Sequence, residues 1–127
     1  MIISNINSCL NNTGTDEKAG VKLARLTGDE KTSVFAIEVG KEQSIPAHYH
    51  QEGIETYFIL DGQGIVQTGA LENGKVHWIT EKQVIAGDCF AIYPDEVHSF
   101  KNSSEKTLRI LGTSPLSHTN EDRYFIA

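Results

Sequence analysis

The sequence predicts an all-β sandwich or barrel, and three observations carry that prediction. Short runs rich in Val, Ile, Thr, Phe and Tyr recur at regular spacing. Gly, Asp and Asn punctuate them, at Thr27-Gly28-Asp29, Asp61-Gly62 and Asn73-Gly74. No stretch of useful length repeats its apolar residues at the helical period. The 127 residues suffice for one domain with a real core and are too few for two.

Met1 to Gly20 is polar and rich in Asn, Ser and Thr, with Ile2, Ile3, Ile6 and Leu10 interspersed. It reads as an N-terminal arm over residues 1–20, a short edge strand followed by a loop. Val21 to Leu26 alternates apolar and polar residues, as a half-buried strand does. Thr27 to Lys31 has turn chemistry, and Ser33 to Val39 is strongly β-prone, so this first pair reads as a hairpin. Gly40 ends it. Gln43 to Ala47 leads onward, with Pro46 marking a strand entry or an edge.

A further extended run, Thr56 to Leu60, ends at Asp61-Gly62, the strongest short-range hairpin signal, with Gln63 to Gly69 as the return strand. Asn73-Gly74 signals a second hairpin into a strand over Lys75 to Ile79. Glu81 to Asp88 leads into the strand Cys89 to Tyr93. After Pro94-Asp95-Glu96 a new run begins at His98, and Thr107 to Thr113 is the last clear strand. The barrel is thus expected over 21–114. Residues 115–127, with His118, Arg123, Tyr124 and Phe125, read as a tail packed on the barrel or across a partner.

The net charge of −6 without a clustered basic patch argues against nucleic acid as a partner. No apolar run is long enough to span a membrane, and Met1-Ile2-Ile3 lacks the features of a signal peptide. A soluble, cytoplasmic protein is expected. Cys9 and Cys89 form no Cys-x-x-Cys unit. Cys89, inside an apolar strand, reads as a small buried hydrophobe, and no disulfide with Cys9 is expected in a reducing compartment.

The chemistry concentrates at His48-Tyr49-His50-Gln51-Glu52-Gly53-Ile54-Glu55. Histidines at i and i+2 of an extended segment share a face. Glu55 follows a glycine that breaks the strand, so two imidazoles and a carboxylate are expected to converge from neighbouring strands. Such donors suit a divalent metal. His98 offers a further ligand. A lone histidine is more often a surface or satisfied core residue, and it is the agreement of spacing, residue types and turn signals that favours a site.

At these residues the chain resembles the cupin family, whose first motif is Gly-x5-His-x-His-x3,4-Glu-x6-Gly. His48-x-His50-x4-Glu55-x6-Gly62 meets it from the first histidine onward. In the second motif, Gly-x5-Pro-x-Gly-x2-His-x3-Asn, Gly87, His98 and Asn102 fall at the matching positions. The resemblance runs from about Val34 to Thr113. There are departures: Glu42 stands at the first motif's glycine, with Gly40 two residues before it. Tyr93 fills the usual proline slot, Pro94 comes one position late, and Asp95 replaces the inner glycine. These changes affect turns rather than ligands.

The resemblance implies a double-stranded β-helix, the jelly-roll barrel, with His48, His50, Glu55 and His98 as ligands of one divalent transition metal: Fe, Mn, Ni, Zn or Cu. It also implies a homodimer in which the N-terminal arm reaches the second subunit. A metal-dependent enzyme of dioxygenase, lyase or isomerase type, acting on a small organic molecule, is the leading expectation. The alternatives are a non-catalytic binding or sensing protein and a barrel that the metal only braces.

Strand parity places Tyr57 and Ile59 inward with Glu55, and Phe100 inward with His98. Tyr57 is then the candidate to donate from its hydroxyl to a metal-bound oxygen; packing in the barrel with its hydroxyl on a backbone carbonyl is the alternative. Glu52 reads as a rim carboxylate, and His77 and Trp78 as surface or interface residues. No Arg or Lys falls on the inner parity of the two motif strands. That disfavours a strongly anionic substrate unless Arg109 or Arg123 reaches in.

Overall fold

The computed structural model describes residues 1–126. A short helix, α1 (Ile6–Asn11), precedes β1 (Lys22–Gly28), β2 (Ser33–Val39), β3 (Ser44–Tyr49), β4 (Glu55–Asp61) and β5 (Gln63–Glu72). These are followed by β6 (Lys75–Ile85), β7 (Cys89–Ile92), β8 (Val97–Asn102), β9 (Leu108–Ser114), a 3-10 turn (Leu116–Thr119) and β10 (Tyr124–Phe125).

The strands form two five-stranded sheets, ordered β1-β2-β9-β4-β7 and β10-β3-β8-β5-β6. The antiparallel pairs β5·β6, β4·β7, β3·β8 and β2·β9 are nested about the β5–β6 hairpin and alternate between the sheets. A long hairpin has in effect been rolled up, which is the double-stranded β-helix. The all-β expectation holds, and rolling up brings the two motifs, far apart in sequence, to one end of one core.

Two hairpins form where expected, β1–β2 and β5–β6, the latter turning at Asn73-Gly74, both at positive φ. The Asp61-Gly62 signal misleads. β4 pairs with β7 and β9, while β5 pairs with β6 and β8 in the other sheet. The chain crosses between sheets there, and a Cβ on Gly62 (φ 86°) would meet the Thr107 carbonyl oxygen at 2.6 Å. A turn dipeptide reports a reversal; which strand receives the chain is decided by burial of the rolled core.

The other differences have similar causes. The arm carries a helix rather than an edge strand. Asn5 caps α1 by accepting from the Ser8 amide, and Leu10 packs with Ala24 and Ala36 in a small satellite core. β6 runs unbroken through Glu81 to Ile85 because it follows β5 along its whole length. Cys89 is exposed rather than buried, since it opens the edge strand β7. Ile2 and Ile3 are exposed as well.

The motif departures resolve at the backbone. Glu42 and Asp95, standing where the family has glycines, adopt φ of 64° and 66°. The turns keep the left-handed geometry that glycine favours, at some steric cost. Asn102 explains the last motif position. Its buried amide donates to the carbonyls of Val39 (3.0 Å) and Lys106 (2.7 Å), tying the end of β8 to the end of β2.

Phe35, Ile37, Tyr57, Ile59, Phe100 and Ile110 build the main core. Parity along β4 is as expected: Glu55, Tyr57 and Ile59 point inward. Rings of Tyr57, Phe90 and Phe100 pack within 5.0–5.8 Å of one another and form an aromatic floor.

Candidate metal centre

His48 lies on β3 directly opposite His98 on β8, within the same sheet. Glu55 comes from the first position of β4 in the facing sheet, and His50 from the connection between them. The donors therefore converge from facing sheets, not from neighbouring strands. One nitrogen or oxygen from each of His48, His50, Glu55 and His98 lies within 4.8 Å of all the others, and all four residues are buried.

Backbone carbonyls fix the orientation of the three rings. His48 Nδ1 donates to Pro46 O (2.8 Å), His50 Nδ1 to Asp122 O (2.5 Å) and His98 Nδ1 to Glu96 O (3.1 Å). With the proton on Nδ1, each Nε2 carries a lone pair, the arrangement that positions a metal-ligating imidazole. His50 Nε2 then faces Glu55 Oε1 at 2.5 Å and His98 Nε2 faces it at 3.5 Å. His50 Nε2, His98 Nε2 and Glu55 Oε1 are all buried without a hydrogen-bond partner. Acceptors gathered this closely in a buried site repel one another unless a cation or protons lie among them. The donor set fits a divalent metal.

The electrostatics agree. Burial raises the Glu55 carboxyl, but where protons rather than a cation lie among these groups, hydrogen bonds from His118, His50 and His98 outweigh it and hold the carboxyl well below the usual carboxylate range. Burial, reinforced by the neighbouring His98, pushes His48 down to about 3, so the ring is neutral, as a ligand must be. Tyr57 donates to Glu55 Oε2 at 2.6 Å, not to a backbone carbonyl. Burial and the adjacent carboxylate push its phenol well above the ordinary value, so it stays a donor.

A cavity of about 40 Å³ adjoins this cluster, room for two or three water-sized molecules. Its apolar wall comes from Val21, Phe35 and Ile37, and its polar side from His48, His50, Glu55 and Tyr57. The other wall is the C-terminal segment, with His118, Thr119, Arg123 and Phe125. Arg123 thus reaches the cavity, held by Asp16 at 3.2 Å and lying over the Phe125 ring. Arg109 does not: it pairs with Glu38 at 2.9 Å. Glu52 and His77 are exposed.

Two residues at the centre lie outside the motifs. Asp122 accepts from the amides of Gln51 (2.8 Å) and Glu52 (2.9 Å), besides receiving His50 on its carbonyl. His118 stacks on His50 and faces Glu55. Both sit in Ser117-His118-Thr119-Asn120-Glu121-Asp122, which has the composition of a solvated loop. The only hint in the sequence is Tyr124-Phe125 just beyond, aromatic residues that need a surface to cover.

The family model for the cupin domain matches residues 33–114, well over half of the chain. The chain belongs to the cupin family. Among solved structures, this cupin is similar to an uncharacterized conserved protein with a double-stranded β-helix domain from Klebsiella pneumoniae. The TM-score is 0.73 at 18% identity, covering 100% of this chain and 98% of that one. It is also similar to a predicted oxalate decarboxylase from Thermotoga maritima, with a TM-score of 0.69, 22% identity and coverage of 89% and 96%. The Schizosaccharomyces pombe Cnp3 cupin domain superposes with a TM-score of 0.66 at 18% identity, covering 88% and 75%. At such identities the likeness is one of fold. A comparison with curated proteins finds no match. No helix among the described residues is long and apolar enough to cross a membrane.

Proposed function

We propose that this cupin is a metal-dependent enzyme on a small organic molecule, of dioxygenase, lyase or isomerase type. His48, His50, Glu55 and His98 would hold one divalent ion, whether Fe, Mn, Ni, Zn or Cu. The observation that carries the reading is the convergence of unpartnered ring nitrogens on Glu55 Oε1 beside a cavity. A metal that only braced the barrel would need no such cavity.

A bound ion would supply Lewis-acid polarisation or, if iron, redox chemistry with dioxygen. The chain's own residues do the rest. Tyr57 holds Oε2 of Glu55 and so leaves Oε1 free for the ion. Tyr57 and the C-terminal wall narrow the cavity beside the cluster. Arg123 gives the cavity one cationic group, which suits a carboxylate or carbonyl oxygen. The small volume favours compact, oxygen-rich substrates, and a predicted oxalate decarboxylase among the similar folds lends that class support.

A non-catalytic ligand-binding or sensing cupin is the second reading, favoured by the C-terminal wall that encloses the cluster. In either reading the protein works in the cytoplasm as a homodimer, with neither nucleic acid nor membrane as partner. The barrel over 21–114 carries the motifs, flanked by the arm over 1–20 and the tail over 115–127. The deciding experiment loads the protein with each ion and follows turnover and oxygen uptake on short dicarboxylates, keto acids, diketones, thiols and keto sugars. Turnover dependent on both metal and Glu55 supports the enzyme. Saturable binding without turnover supports the sensor.

A further inference from the structure

We propose that the open cleft between β6 and β7 is a second ligand site, built for a small organic monocarboxylate with an apolar body. None of the four candidate metal ligands lines it, so the inference stands apart from the metal reading.

β6 and β7 are the last strands of the two facing sheets, and no further strand covers the gap between them. The cleft holds about 390 Å³, within the usual range of small-molecule sites and far above the roughly 40 Å³ beside the metal cluster. Register fixes what faces into it. Thr68 lies opposite both His98 and Thr80, and Lys82 lies opposite Val66. His98 and Val66 are buried, so Thr68, Thr80 and Lys82 share the inner face of their sheet. Across the gap, Phe90 and Ile92 lie opposite the buried Tyr57 and Glu55 and turn inward too. One wall thus offers an ammonium and two hydroxyls, and the other is apolar.

The inward polar groups are unengaged. On the outer face of the same sheet, Gln67 bonds Glu81 at 2.9 Å and Ser99 at 3.3 Å. On the inner face, Lys82, Thr68 and Thr80 have no side-chain partner among the described residues. The lysine and arginine ion pairs use Lys22, Lys41, Arg109 and Arg123 instead. An ammonium only donates and a carboxylate only accepts, so one carboxylate can take bonds from all three side chains. A lysine on the inner face of a strand without a counter-charge favours an anion there.

Asp88 and Glu96 also line the cleft, one before and one after β7. Each carboxylate accepts from a backbone amide, that of Ile85 at 2.8 Å and that of Tyr93 at 3.1 Å. They limit the charge of the ligand. One anionic group fits beside Lys82, and a second, carried toward either end of β7, meets a carboxylate. The apolar body then lies on Val84, Phe90 and Ile92. Two other roles give different outcomes: Lys82 guarding the β6 edge against pairing, or Asp88 and Glu96 holding an organic cation.

The test is an amide NMR titration of the full chain, in chelator, with benzoate, benzylamine and terephthalate. Benzoate is expected to give saturable shifts centred on Thr68, Thr80, Lys82 and Phe90, and to bind about tenfold more tightly than either of the others. Lys82→Met keeps the apolar stem and should weaken benzoate about tenfold. Benzylamine or terephthalate binding as tightly as benzoate overturns the proposal. So do benzoate shifts centred on Arg123 and Phe125, or no saturable shift, in wild type alone, so the test survives a variant that folds poorly. Unchanged benzoate affinity in folded Lys82→Met overturns it as well. Chelator keeps metal out, so each of these failures leaves the metal reading standing.

Discussion

Asp122 and His50 lie 72 residues apart in sequence, yet the Asp122 carbonyl accepts the His50 Nδ1 proton at 2.5 Å. The Asp122 side chain meanwhile caps the amides of Gln51 and Glu52. One residue of the C-terminal segment thus sets both the tautomer of a ligand histidine and the path of the loop that carries it. Asp122→Ala should weaken metal affinity about 10–100-fold while leaving all four candidate ligands in place. Chelator competition with zinc measures it, and an unchanged affinity would show that the loop holds itself.

Tyr57→Phe removes the donor to Glu55 Oε2 and leaves a buried carboxylate oxygen unpaired. Stability of the metal-free protein should fall by about 1–3 kcal/mol in urea. One equivalent of metal should still bind, since the phenol touches the ligand and not the ion. Loss of metal with unchanged stability would make Tyr57 a ligand rather than a support.

Acid should destabilise the metal-free protein through His48. Its native pKa of about 3 lies below the ordinary 6.5, so the unfolded chain binds more protons between those values. Stability is therefore complete above pH 6.5 and falls as pH drops toward 3, by at most about 1.4 kcal/mol per pH unit for one group. His118 has the opposite sign. Burial lowers it but Glu55 raises it on balance, so its contribution is present below pH 6.5 and is lost as pH rises through its native value. Urea midpoints of His118→Gln across pH 5–8, in chelator, test the His48 slope above the range in which Glu55 contributes, and a flat profile would contradict it.

Dimerisation has a visible candidate surface. β6 is a sheet edge and exposes Trp78 (39%), Ile79 (70%) and Ile85 (53%). Long apolar edges invite pairing. Light scattering should give twice the chain mass, reverting to one on Ile79→Glu with the metal site intact. A monomeric wild type would remove this prediction.

The sequence showed the donor residues because their spacing is local. His-x-His on an extended segment and a carboxylate five residues on need no knowledge of the partner strand. Parity made Tyr57 and Phe100 legible for the same reason. What was not legible depends on distant packing. Asp61-Gly62 has the chemistry of a reversal, and only the competition among pairs sends β5 to the other sheet. Cys89 has the neighbours of a core residue and the position of an edge one. His118 and Asp122 sit in a polar run whose burial comes from covering the barrel, a relation that no periodicity records. Glu42 and Asp95 show the converse: turn geometry persisted where the glycine did not.

The most direct test of the account is the metal content of untagged protein purified without chelator, for wild type, His50→Ala and Glu55→Ala. About one equivalent of a divalent transition metal is expected in wild type and a sharp fall in both variants, each keeping its β-sheet circular dichroism. Full occupancy in both variants, or no binding by wild type after exposure to each of Fe, Mn, Ni, Cu and Zn, would contradict it.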